Sequence, residues 1–265
     1  MTEPSGPAVT FDLWHTLIYV APEDEERYMQ RQVEIAVESM EEAPRTGPAG
    51  TPGAPGALFE AEYHRAVAEA EQGRSVPPVE QYRRAARAAG RDPDPTRYLA
   101  RLEALAGGLP FRRAPAALEA LAALAEEGYA LAIISNTVGE PGACLRPALR
   151  RLGFEASVRE FVFSDEQPWT KPAPEIFRWT LERLGRRPSE AIHVGDGWAD
   201  VEGARRAGYR AGIRYVGLPD YGARYRALFA PGPGRTPPAG WEVDRLDDVP
   251  TLIARIRAGA TPPAP

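Results

Sequence analysis

In FDLWHTL (Phe11–Leu17) an apolar run ends on Asp12, and Thr16 follows four residues later. A carboxylate and a hydroxyl so spaced suit a phosphate site, whose usual chemistry wants a second carboxylate two residues after the first. Trp14 stands there instead, and its indole has no usable proton to give or take. Further on come Ser135 and Asn136 at the end of another apolar run, Lys171 in TKPAPEIF, and Asp196 and Asp200 in VGDGWAD. If the runs that carry them are parallel strands, these residues meet at one edge of a sheet, where α/β proteins bind ligands. Three carboxylates gathered there repel one another unless a cation or a lysine neutralises them. Mg²⁺ suits carboxylates that have no histidine or cysteine partner. Ser135 and the N–H groups of a helix starting just after it would form an anion cradle. Carboxylates, a metal, a lysine and an anion cradle are the parts of a phosphoryl-transfer site.

Taken singly, each residue also has a plainer reading. Asp12 fits a turn after a strand, Ser135–Thr137 a helix N-cap, Lys171–Pro172 a helix start, and VGDGWAD a Gly-rich turn into a capped helix.

The elements that must position these groups are legible as β-rich runs. They are Ala8–Leu13, Tyr129–Ser135, Phe161–Ser164, Ala191–Gly195 and Arg210–Val216, with a weaker one at Trp241–Leu246. Most are continuously apolar rather than alternating, as in strands buried on both faces of a parallel sheet. Helical patterns at Ala114–Gly128, Pro174–Gly185 and Asp200–Gly208 separate them and end on glycine. The alternation predicts a doubly wound α/β sheet. From about Tyr19 to Phe111 no strand is evident. Met29, Val33, Ala36 and Met40 share one helical face there, and Leu58–Arg74, Pro78–Ala89 and Thr96–Ala106 also read as helices. Ala43–Gly56, Ala230–Gly240 and the tail GATPPAP are Pro/Gly-rich and predict no regular element.

At 265 residues, 43% hydrophobic and 26% charged, the chain can bury a full core. Its net charge of -5 gives no electrostatic reason to expect nucleic acid. The single cysteine, Cys144, excludes an internal disulfide and argues against a cysteine-ligated zinc. With no signal-peptide pattern and no apolar run near the roughly 20 residues of a membrane helix, the expectation is a cytoplasmic protein away from membranes.

In chain order, FDLWHTL, AIISNT, the lysine of TKPAPEIF and HVGDGWADVEGARRAG resemble the four motifs of the haloacid dehalogenase superfamily, most of whose members are Mg²⁺-dependent phosphatases. The resemblance covers roughly Ala8–Leu17 and Phe111–Val216. It implies a Rossmann-like core over 1–19 and 111–258, an inserted all-helical cap over 20–110, and a flexible tail over 259–265. By position, Asp12 resembles the nucleophile that takes up the phosphoryl group, and Lys171 the cation that orients it. Thr16 and Ser135, with Asn136 beside them, resemble the groups that hold the phosphoryl group. Asp12, Asp196, Asp200 and the backbone carbonyl of Trp14 resemble the Mg²⁺ ligands. The substrate implied is a small phosphorylated molecule.

Trp14 departs from the family's acid/base aspartate, and three readings follow. The first keeps metal-assisted phosphoryl transfer with an easy leaving group or another proton source, His15 being the adjacent candidate. In the second, an aromatic residue at this position suits a 2-haloacid dehalogenase, although Asp196 stands where those enzymes carry serine. The third is a binding or regulatory protein on an enzyme fold.

Overall fold

The computed structural model describes residues 6–46, 54–218, 235 and 240–262. Parts of the expected loops and tail (47–53, 230–234, 236–239 and 263–265) lie outside the described residues. The core is a six-stranded, fully parallel sheet of β1 (Ala8–Phe11), β4 (Ala130–Ser135), β5 (Glu160–Phe163), β6 (Ile192–Gly195), β7 (Ala211–Tyr215) and β8 (Trp241–Val243). Their order across the sheet is β5-β4-β1-β6-β7-β8. All six expected strands are present, each within a few residues of its expected bounds. The apolar runs read as they do because both faces are covered. Val9, Phe11, Leu131 and Ile133 join one cluster with α5 (Ala117–Glu126) and α9 (Val249–Arg257). Ala8, Ile134 and Val162 join another with α7 (Pro174–Leu184) and α8 (Trp198–Ala207). Successive residues of a strand thus feed opposite layers, at about 1.5–3 kcal/mol for each large side chain buried.

Between β2 (Ile18–Tyr19) and β3 (Arg112–Arg113) the chain forms four helices: α1 (Pro22–Glu42), α2 (Pro55–Glu71), α3 (Pro78–Ala88) and α4 (Pro95–Gly107). Each carries a proline at its start, where the missing N–H costs nothing. The α4 start is also capped by Asp94, which accepts from the N–H groups of Thr96 and Arg97. Their apolar faces close on Tyr82 and Tyr98, stacked at 4.4 Å between ring centroids. The two-residue strands β2 and β3 pair antiparallel at the root of this cap. They were not expected, being too short to show any period.

One further helix, α6 (Gly142–Arg151), fills a stretch with no expected element. Pro147 lies inside it and speaks against a helix in the sequence. Gly142 is required where α6 passes β5, since a Cβ there would lie 2.1 Å from the Phe163 ring.

Candidate active site

β1 lies inside the sheet with β4 and β6 on either side, so the C-terminal ends of these strands deliver neighbouring side chains. The Asp12 N–H extends the ladder to Val194 O at 2.8 Å, which sets its side chain just beyond the sheet. Chain order changes direction at β1, and the crevice formed by such a change is the usual ligand site of an open α/β sheet. There Asp12, Asp196 and Asp200 each offer one carboxylate oxygen, all within 4.8 Å of one another. Lys171 Nζ donates to Asp12 Oδ1 and, at 2.6 Å, to Asp200 Oδ1. Asp12, Lys171 and Asp200 are all buried.

Electrostatics follow from that arrangement. Burial works against the Lys171 charge, but Asp12 and Asp200 outweigh it and raise its pKa, so it stays a cation. Burial also disfavours the Asp200 carboxylate, yet Lys171 and a hydrogen bond from His193 hold its pKa well below the usual range. Asp12 moves the other way, raised by burial and by the Asp200 charge, with Lys171 offsetting part of the shift. Three carboxylates lie together here, and a divalent cation would ease their mutual repulsion. The donors are all oxygens, which suits Mg²⁺ rather than zinc. The residues present therefore fit Mg²⁺.

The framing of these groups is tight. Asp200 Oδ2 accepts from the Gly197 N–H at 2.9 Å and so closes the start of α8. A Cβ on Gly195 would lie 2.3 Å from Asp200 Cγ, so only glycine fits there. His193 Nε2 lies 3.2 Å from Asp200 Oδ1, and its Nδ1 lies 2.7 Å from Thr10 Oγ1. Asn136 brackets Lys171 from both sides, accepting from its N–H and donating to its carbonyl, each at 2.9 Å. Thr16 Oγ1 donates to Asp12 Oδ2 at 3.3 Å and is fully buried, outside the cavity lining.

Ser135 faces the cavity, and its buried hydroxyl has no hydrogen-bond partner. It caps no helix, because α6 begins only at Gly142 and its first N–H is taken by Asp165 Oδ1 at 3.0 Å. The helix-start half of the expected anion cradle is therefore absent at Ser135. His15 stands apart from the cleft. Its φ of 59° turns the chain, and Nε2 lies 2.9 Å from Glu25 Oε1 on α1, behind the lining.

A cavity of about 340 Å³ opens over the carboxylates between core and cap. Trp14 lines it with its ring 5.4 Å from Phe111 and its indole N–H donating to Glu140 Oε1 at 3.0 Å. Gln32 of α1 donates to Glu140 Oε2 at 3.2 Å, so this carboxyl joins the Trp14 loop to the cap. Burial dominates its acidity and pushes it up to about 7, despite those two bonds. Of the tryptophans near the motifs, Trp198 also lines the cavity, whereas Trp169 packs on the core beside the α7 layer. Glu140, His193 and Tyr28 escape sequence reasoning. Glu140 in SNTVGEPG has no periodicity or spacing to mark it, and only the closed cap gives it a role.

The haloacid dehalogenase-like hydrolase family matches residues 7–208. The chain belongs to this family. An N-acetylmuramic acid 6-phosphate phosphatase of Pseudomonas aeruginosa is 33% identical over 98 residues, which is 37% of this chain and 42% of that protein. A phosphoglycolate phosphatase of Aquifex aeolicus is 34% identical over 109 residues, 41% of this chain and 48% of that one. The matched stretch thus spans less than half of either relative. A solved 2-haloacid dehalogenase from Pseudomonas syringae pv. Tomato DC3000 shares the fold, with a TM-score of 0.60 at 24% identity over 94% of this chain and 99% of that one. The fold agrees with that membership: a parallel α/β core with an inserted helical cap. Among the described residues, no helix is long and apolar enough to cross a membrane.

Proposed function

We propose that this hydrolase cleaves small phosphate monoesters with Mg²⁺ through a phosphoryl group carried on Asp12. The observation that carries the reading is the cluster of Asp12 and Asp200, both buried on Lys171, with the half-buried Asp196 beside them and oxygen donors only. In this account Asp12 attacks phosphorus while the bond to the leaving oxygen breaks, and water later frees the carboxylate. Lys171 keeps Asp12 ionised and aimed, and Asn136 fixes the Lys171 backbone. Thr16 holds the second Asp12 oxygen. Ser135, whose hydroxyl has no other partner, donates to a phosphoryl oxygen. Mg²⁺ would be held by Asp12, Asp196, Asp200 and the Trp14 carbonyl, and when bound it offsets charge on the transferring group. The assignment takes 1–19 and 111–258 as core and 20–110 as cap.

Trp14 removes one proton transfer, typically worth about 10²–10⁴-fold, so leaving groups that depart as stable anions are favoured. A dehalogenase draws support from an aromatic side chain at this position. It is disfavoured because Asp196 would add a third carboxylate where a halide anion departs.

Labelling with a ³²P-phosphate ester followed by acid quench should place phosphate on wild-type protein and none on Asp12→Asn. Label persisting on the variant would remove Asp12 from this role.

A further inference from the structure

The cavity wall that faces the reacting carboxylates says what the rest of the substrate is. On the cap side it is built from α1 and α2, with Met29 and Val67 as its apolar part. Its carboxyl groups are Glu25, against His15 at 2.9 Å, and Glu71 on the cap, with Glu140 beside them on the core loop. None of the described cap residues that line the cavity is a lysine or an arginine. Two arginines reach it from the core side. Arg235 pairs with Glu71 at 2.7 Å and lies over the Trp198 ring, and Arg214 pairs with Glu242 at 3.2 Å through Nη1 while its buried Nε has no partner. A second anionic group turned toward the cap would therefore meet carboxylates, and only one turned toward the core side would find Arg214 or Arg235.

One polar atom on this wall awaits a ligand. Tyr28 is buried and faces the cavity, and its hydroxyl makes no hydrogen bond of good geometry, although Gln32, whose Nε2 donates to Glu140, lies beside it. Unpaired buried hydroxyls are costly and uncommon in the absence of a partner. Ser135 is the matching unpaired hydroxyl on the core side of the same cavity.

Resting on the phosphoryl-transfer reading, we propose that the cap selects a monoester whose organic part is apolar or aromatic, carries no second anion, and offers an uncharged polar group to the Tyr28 hydroxyl. Trp14, Met29 and Val67 supply the apolar contact, and a cavity of about 340 Å³ suits a single ring with a short arm. Glu25, Glu71 and Glu140 act as the exclusion of a carboxylate- or phosphate-bearing substrate.

Calorimetric binding of non-hydrolysable phosphonates to the full chain with Mg²⁺ tests this without relying on turnover. Benzylphosphonate is expected to bind at least about 100-fold more tightly than phosphonoacetate, since like charges brought together cost several kcal/mol. In Tyr28→Phe, binding of 3- or 4-(hydroxymethyl)benzylphosphonate should weaken about 10-fold, the loss of one good hydrogen bond. Benzylphosphonate itself should bind that variant unchanged, and this also shows the variant to be folded. Phosphonoacetate binding as tightly as benzylphosphonate, or neither binding, overturns the selectivity. Unchanged binding of both hydroxymethyl isomers to Tyr28→Phe overturns the Tyr28 contact. Selective binding without turnover of any phosphate ester would support the cap's selectivity and defeat the phosphoryl-transfer reading alone.

Discussion

Glu140 shows how a single side chain comes to matter through its surroundings. The Trp14 indole and the Gln32 amide each take one of its oxygens, and burial raises its pKa from 4.5 to about 7. A carboxyl with a folded-state value above its unfolded one favours the native state most at low pH. That stability is lost as pH rises through the window from 4.5 to about 7, where the unfolded chain releases the proton first. A shift of this size corresponds to roughly 3 kcal/mol. Glu140→Gln keeps an acceptor for the indole and cannot ionise. Denaturant titrations of both proteins at several pH values should therefore show the variant gaining on wild type by about that much between pH 4.5 and 7.5. A difference that stays flat across the window would mean that Glu140 is solvated in the native protein. The residues that cluster at the sheet edge were legible in the sequence, Asp12, Asp196 and Asp200 because they follow apolar strands and Lys171 by its place in TKPAPEIF. Glu140 and Tyr28 were not, since what sets their environment is the approach of α1 to the core, which is a contact between distant segments. His15 could be named from adjacency to Trp14, but its positive φ and its Glu25 partner point it behind the cavity.

At the scale of elements, strand ends do the positioning and close backbone approaches keep them there. The turn from β6 into α8 is the sharpest instance, because Gly195 leaves Asp200 the only room it has. Gly195→Ala puts a methyl 2.3 Å from Asp200 Cγ. Asp200 must then shift, at a cost of about 1–3 kcal/mol for overpacking. The expected result is a protein of lower Tm whose Mg²⁺ affinity, measured by calorimetry, falls more steeply than its stability does. Wild-type Mg²⁺ affinity in a folded Gly195→Ala protein would show that Asp200 takes no part in the metal site. A milder contact joins cap to core at Gly139, where an added Cβ would meet the Gln32 amide at 2.9 Å. The six strands could be read from their apolar runs because parallel strands covered on both faces need no alternation. Helix α6 could not, since Pro147 breaks its pattern and Asp165, distant in sequence, completes its start. The pair β2–β3 escaped for a simpler reason: two residues carry no period.

Across the whole molecule, the sheet supplies the clustered carboxylates and Lys171, and the cap supplies one wall of the cavity above them. The cap meets the core through Gln32 on Glu140, through Gln81 on the Val138 carbonyl at 2.8 Å, and through Ser75 on the Ser164 carbonyl at 2.5 Å. Gln32, Glu140 and Val138 line the cavity, so cap position and cavity shape are set together there. The most direct test of the account compares two products from one protein preparation, with and without Mg²⁺. Phosphate release is followed with an aryl phosphate, and halide release with 2-chloropropionate. The account predicts phosphate release that depends on Mg²⁺ and no halide release in either condition. Halide release that persists without the metal, with the aryl phosphate left intact, would contradict it.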